Sequence, residues 1–196
     1  DLKKFDGILV PGGFGKTGID GKLKVIEFAR KQKIPYFGIC YGMQLAVMEY
    51  AQNVLNLDDV SSAEINPRAK NVVIDIMPEQ IANLADKKMG GTMRLGEFTA
   101  KLKKGTHAYK AYKIPEIKER HRHRYEVSLP YIDKLVEGGI IFSGTSTDEK
   151  LMEIMELPVS KHPFFVGVQF HPEFLARPLS PHPLFSAFIK ASYENK

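Results

Sequence analysis

The sequence predicts an α/β fold with a mostly parallel central sheet and flanking helices. Three observations predict it. From Gly7 to Asn53, short apolar runs alternate with runs of helical periodicity, the pattern of successive βα units. Within them, Gly38-Ile39-Cys40-Tyr41-Gly42 sits where a strand-like run gives way to a helical one, the cysteine form of a nucleophile elbow. Late in the chain a second apolar run, Phe164 to Phe170, delivers His171-Pro172-Glu173.

At 196 residues, the chain is expected to form one domain. Its 43% hydrophobic and 26% charged content is ordinary for a globular protein. A single cysteine excludes an internal disulfide framework and points to a reducing compartment, so a cytoplasmic location is expected. No run is apolar enough for a membrane span, and the N-terminus does not read as a signal peptide. The net charge of +5 comes from both signs spread along the chain. That reads as solvated surface, with neither a nucleic-acid nor a membrane partner.

The elements follow in order. Gly7-Ile8-Leu9-Val10 is a short buried strand, followed by Pro11-Gly12-Gly13-Phe14-Gly15. This loop resembles a phosphate loop only loosely, and serves instead as a surface of backbone N–H donors that a ligand can approach closely. Ile19 to Lys33 is an amphipathic helix with Leu23, Ile26 and Ala29 at helical spacing. Ile34 to Ile39 is the strand that ends at Cys40, and right-handed crossovers make the first two strands parallel. Tyr41 to Asn53 is the elbow helix, with Leu45, Val47, Met48 and Ala51 turned to the core. Asn53 to Pro67 reads as a polar loop carrying Glu64, and Asn71 to Met77 as a strand. Pro78 to Lys88 reads as an exposed insertion, and Gly90 to Phe98 as a glycine-started strand. Tyr109 and Tyr112 belong to a short helix or turn.

Glu119 to Val127 reads as one strand. Its alternation puts Arg120, Arg122 and Arg124 on one face and His121, His123 and Tyr125 on the other. A charged edge strand accounts for it. The run is too short and too poor in exposed aromatics for a nucleic-acid patch, and His-x-His here has no further ligands at zinc spacing. Leu129 to Glu137 is helical, and Gly139 to Thr145 pairs with Leu151 to Leu157 across the turn at Ser146-Thr147-Asp148-Glu149. Pro181 to Tyr193 is a closing helix with Leu184, Phe185, Phe188 and Ile189 on one face.

The chemistry these parts suggest is nucleophilic. Glycines let the chain turn sharply at the elbow, and a helix N-terminus beside Cys40 stabilises negative charge on its sulfur. A thiol nucleophile needs a base, the base needs an acceptor to fix its tautomer, and the oxyanion needs N–H donors. His171 is the candidate base. Glu173, two residues on, can fold its carboxylate back to the ring, and the Gly12-Gly13 loop can donate.

These residues also carry a resemblance. Pro-Gly-Gly-Phe-Gly at 11–15, Gly-Ile-Cys-Tyr-Gly-Met-Gln at 38–44, Gly-Gly-Thr-Met-Arg-Leu-Gly at 90–96, Glu-Arg-His-Arg-His-Arg-Tyr-Glu at 119–126 and Phe-His-Pro-Glu-Phe at 170–174 span nearly the whole chain. It resembles the glutaminase domain of class I glutamine amidotransferases, in the CTP synthase branch. The elbow and His-Pro-Glu are general to the class, and the runs at 90–96 and 120–124 are particular to the branch. The resemblance implies a flavodoxin-like fold and a γ-glutamyl thioester on Cys40. His171 would shuttle protons and Glu173 would orient it. Backbone N–H groups of Gly12, Gly13 and Tyr41 would form the oxyanion hole. Gln44, Glu64 and Arg124 would bind L-glutamine, with Glu64 on the α-ammonium and Arg124 on the α-carboxylate. Arg120 and Arg122 do not inherit that role.

No metal or cofactor is implied for this domain. ATP and magnesium would serve a synthetase domain that aminates UTP to CTP, expected on the same polypeptide but outside residues 1–196, and the full-length enzyme is expected to be a homo-oligomer. Two departures stand out. Position 41 is tyrosine where leucine is expected in many relatives, and the first strand–helix–strand unit of the family domain is missing from this sequence. Two other readings remain at this point: a cysteine hydrolase of the same fold acting on another amide or peptide, and a binding module without catalysis.

Overall fold

The structure is a computed structural model that describes residues 2–76 and 93–195. The strands are β1 (Ile8–Val10), β2 (Tyr36–Ile39), β3 (Val60–Ser62), β4 (Asn71–Ile76), β5 (Arg94–Leu102), β6 (Glu116–His123), β7 (Tyr125–Val127), β8 (Ile141–Ser146), β9 (Met152–Glu156) and β10 (Phe165–Val168). The α-helices are α1 (Ile19–Gln32), α2 (Tyr41–Asn53), α3 (His107–Tyr112), α4 (Ile132–Gly138) and α5 (Pro183–Glu194). Seven strands form the main sheet in the order β1-β2-β10-β9-β8-β5-β6, and β3-β4-β7 form a small second sheet.

The main sheet is mixed. β1, β2 and β10 run parallel, as the βα alternation predicts. From β9 onward every neighbouring pair is antiparallel. The cause is local: tight turns such as 147–151 return the chain antiparallel. The parallel part is the part that carries the candidate site.

α1, α2 and α4 cover one face with the small sheet, and α3 and α5 cover the other. α2 lies between the two sheets, so its residues Tyr41 to Ala51 are all buried and its expected apolar stripe extends to the whole helix. It tolerates Glu49, which is fully buried, because Arg30 of α1 grips that carboxylate with two bonds of 2.8 and 2.6 Å. A bidentate guanidinium–carboxylate pair satisfies the buried charge and ties α1 to α2.

Several expectations meet corrections. The polar stretch 53–67 contains β3, whose strand character comes from pairing with β4 rather than from its own composition. Glu119 to Val127 is not one strand. β6 ends at His123, Arg124 forms a bend, and β7 joins the other sheet, so Arg124 does not share a strand face with Arg120 and Arg122. β6 does lie at the sheet edge, with His121 and His123 buried and Arg120 and Arg122 exposed. On α5, Leu184 and Phe188 are buried, but Ile189 is 63% exposed and lies off the packed face. The expected insertion at 78–88 and the start of the strand at 90–92 lie outside the described residues.

Candidate active site

Three adjacent parallel strands end at the same edge of the sheet, and each delivers one part of the site. β1 leads to Gly12, β2 to Cys40, and β10 to His171. Sites of open α/β sheets form at such carboxyl ends. Two close approaches and two hydrogen bonds fix the elbow. A Cβ on Gly42 would come 2.2 Å from the Val10 carbonyl oxygen, and one on Gly38 would come 2.8 Å from the Gly42 carbonyl carbon. Glycine is therefore what lets the start of α2 lie against the end of β1 and the end of β2. Tyr36 donates its hydroxyl to the Gly42 carbonyl at 2.9 Å, and Cys40 N–H donates to Val168 O at 2.6 Å. Between these anchors Cys40 adopts φ 48°, ψ −98°, a conformation that an L-residue enters only when its surroundings impose it.

Cys40 is buried, with 6% of its surface exposed. Its sulfur accepts a hydrogen bond from Gln169 Nε2 at 3.7 Å. Gln169 in turn accepts from Gln44 Nε2 at 3.3 Å, and Gln44 also donates to Tyr125 O at 3.0 Å. Sequence reasoning passed over Gln169. The signal was present: it is the lone polar residue in the Phe164–Phe170 run, two positions before His171.

His171 is held on several sides. Its N–H donates to Arg120 O on β6 at 2.8 Å, its ring stacks on Phe174 at 5.1 Å, and its Nδ1 lies 2.6 Å from Glu173 Oε1. Nε2 is buried. A Cβ on Gly12 would stand 2.8 Å from His171 Cε1 and 3.8 Å from Cys40 Cβ, so the loop backbone lies directly against both residues. Burial opposes a charge on the His171 ring, but the Cys40 sulfur and the Glu173 carboxylate outweigh it and bring the ring to about 9. Burial also raises the Glu173 carboxyl, yet the hydrogen bond from His171 outweighs that and leaves it lowered. The histidine thus holds its proton at neutral pH.

A cavity of about 520 Å³ opens over these groups, a size suited to a small-molecule ligand. Of the residues expected from sequence, Gly12, Gly13, Cys40, Gln44, Glu64, Arg124 and His171 line it. Glu173 and Tyr41 do not. Glu173 contacts the His171 ring at Nδ1, and the Tyr41 ring runs beside Gly13 and places its hydroxyl on Gly15 O. Arg122 and His123 also line the cavity, with Met93, Phe14 and Tyr125. Arg120 lines a second cavity with Leu95, Phe174 and Arg177.

Behind the cavity lies a buried ionic group that the sequence did not announce. Arg94 Nη1 is 2.7 Å from Glu153 Oε1 and 3.6 Å from Glu126 Oε1. His121 and His123 share a hydrogen bond of 3.0 Å beside them. Burial, reinforced for His121 by His123 and Arg94 and for His123 by Arg94, lowers the two rings to about 2 and about 3. Both rings are neutral, with His121 packed near the site and His123 on the cavity wall.

The comparisons with known proteins agree with this arrangement. The family model described as "Glutamine amidotransferase class-I" matches residues 1–191. The CTP synthase of Clostridium kluyveri is 55% identical over 195 residues, covering all of this chain and 35% of that protein. That of Treponema denticola is 53% identical over 195 residues, again covering all of this chain and 35% of the relative. The chain thus spans about a third of the length of these relatives. Among solved structures, a Trypanosoma brucei CTPS glutaminase domain with bound acivicin superposes with a TM-score of 0.87 at 37% identity, covering 97% of this chain and 72% of that one. The chain belongs to the class I glutamine amidotransferase family, in its CTP synthase branch.

Proposed function

We propose that this chain hydrolyses the side-chain amide of L-glutamine and hands the ammonia to a synthetase domain of the same polypeptide, which uses ATP and magnesium to aminate UTP to CTP. One observation carries the reading: the ends of β1, β2 and β10 bring a glycine loop, a strained cysteine and a glutamate-bound histidine to one cavity. In this reading Cys40 Sγ attacks the amide carbon of glutamine. The oxygen that gains charge is met by backbone N–H groups of Gly12 or Gly13 and of Tyr41, the first residue of α2, whose N–H has no partner within its helix. His171 gives its proton to the departing nitrogen, and ammonia leaves with a γ-glutamyl thioester on Cys40. The ring, now neutral, takes a proton from water as the water attacks the thioester, and glutamate leaves. Glu173 keeps Nδ1 protonated, so that Nε2 is the nitrogen that exchanges protons.

Glu64 and Arg124 stand on the cavity wall as partners for the α-ammonium and the α-carboxylate, with Gln44 on the same wall as a further polar contact. A free amino acid presents both charges, whereas a residue inside a peptide presents neither, so the two charged walls favour glutamine over a peptide amide. The expected compartment is the cytoplasm. The test is covalent labelling by a chloroketone analogue of glutamine. Cys40 should be modified in the folded protein far faster than after denaturation, free glutamine should protect it, and Cys40→Ala should take no label. Equal labelling of folded and denatured protein would refute an activated nucleophile. Labelling that glutamine does not slow would refute glutamine as the substrate.

A further inference from the structure

We infer that the side chain of Tyr41 is a positioning residue that braces the oxyanion loop. The loop between β1 and α1 is exposed at Gly13, Phe14, Lys16 and Thr17, with few side chains of its own to hold it. Gly15 is its fixed point. It adopts φ 77°, in the left-handed region that glycine enters freely. Both polar atoms of its backbone are tied: Gly15 N–H donates to Glu64 Oε1 at 2.8 Å, and Gly15 O accepts from the Tyr41 hydroxyl. On the way to that bond the Tyr41 ring passes under Gly13, where a Cβ would lie 3.4 Å from Cδ1. Lys22, in the first turn of α1, closes the arrangement. Its Nζ lies 5.3 Å from the centre of the Tyr41 ring and donates to Thr17 O at 3.2 Å.

The geometric consequence concerns the two candidate oxyanion donors. One comes from the backbone of Gly12 or Gly13, the other from the backbone of Tyr41. They sit on different elements, and β1 stops two residues before Gly12. The Tyr41 side chain links the second donor's own residue to the loop that carries the first. It therefore sets their separation, on which stabilisation of a developing negative charge depends. Tyr41 does not line the cavity, and its hydroxyl is spent on Gly15 O, so loss of that hydroxyl should act through loop placement. The catalytic half of this inference rests on the glutaminase reading above, and the brace itself does not.

Tyr41→Phe tests both halves, because it keeps the ring and removes only the hydroxyl. In the full polypeptide, kcat for glutamine hydrolysis should fall about tenfold, the worth of one neutral hydrogen bond. KM should stay within about twofold, since the lost interaction serves the transition state. Limited trypsin digestion reads the loop directly. Cleavage after exposed Lys16 should become several-fold faster, with cleavage after Lys104, in an exposed turn elsewhere, as the internal control. The melting temperature should change little. Unchanged cleavage after Lys16 would overturn the brace. Faster cleavage with unchanged kcat, or a rise in KM with kcat intact, would overturn its link to the oxyanion donors. If the unmodified protein released no ammonia from glutamine, the proposed function would fall, and the comparison of cleavage rates would still decide the brace.

Discussion

Cys40 shows what a single residue gives up for its position. Its φ of 48° is unfavourable for any side chain. A strained residue of this kind costs on the order of 1–3 kcal/mol, and glycine escapes most of it. Cys40→Gly should therefore be more stable than Cys40→Ala by about 1 kcal/mol or more in chemical denaturation, although both abolish labelling. Equal stability would mean that the fold does not strain this residue. The two members of the His171–Glu173 pair should be unequal. His171→Ala should cost about 10⁴-fold in kcat and Glu173→Ala about 10²-fold, because one moves protons and the other orients. A larger loss at Glu173 would reverse the assignment. For recognition, Arg124→Ala should raise KM for glutamine by about two decades, the worth of a charged hydrogen-bonded pair in a confined site. Arg120→Ala should leave KM near its starting value, since its side chain lines the second cavity. Equal effects would assign the arginines a diffuse electrostatic role.

At the scale of elements, β6 carries a prediction about pH. His121 and His123 are held neutral by burial and by Arg94, at about 2 and about 3, whereas an unfolded histidine titrates near 6.5. The unfolded chain thus binds protons that the folded chain refuses between those values. Stability from these residues is present above pH 6.5 and is lost as pH falls below it. The denaturation midpoint should drop steeply on the acid side, and His123→Gln should make that slope shallower; an unaltered slope would show that the ring takes its proton without unfolding. How much of these elements the sequence disclosed follows from how each is stabilised. β2, β10 and α2 were legible because burial on all sides leaves long apolar runs, and the glycines of the elbow mark the turn. β3 was not, since three residues in a polar stretch become a strand only through β4. The bend at Arg124 was hidden because alternation continues across it, while the two halves pair in different sheets. The cysteine, histidine and glutamate of the site could be found from local motifs. The Gln44–Gln169–Cys40 chain joins residues far apart in sequence, and only the register of β2 against β10 brings them together.

For the whole molecule, the proposed division of labour makes a prediction of its own. The cavity over Cys40 is lined by a glycine loop, one thiol, the imidazoles of His123 and His171, and the charged side chains of Glu64, Arg122 and Arg124, and the proposed function reads this set as matched to an amino-acid amide. CTP synthesis asks for other chemistry: phosphate transfer from ATP to UTP, with magnesium to neutralise the phosphates. The glycine loop ends in Gly15-Lys16-Thr17, but the position five before Gly15, where a phosphate loop carries its first glycine, is Val10, so the loop does not have that pattern. The relatives are about three times as long as residues 1–196, and the proposed function puts the acceptor chemistry in that further length. Residues 1–196 expressed alone should therefore form no CTP from UTP, ATP, magnesium and glutamine. Replacing glutamine with an ammonium salt should not rescue it, because what is lacking is the acceptor site rather than the ammonia. In the full polypeptide the ammonium salt should support CTP formation even with Cys40→Ala, which separates the two activities. Chromatography of the nucleotides decides the matter. CTP that depends on residues 1–196 alone would place an acceptor site within them, and failure of ammonium to bypass Cys40→Ala would mean that the cysteine serves more than the release of ammonia.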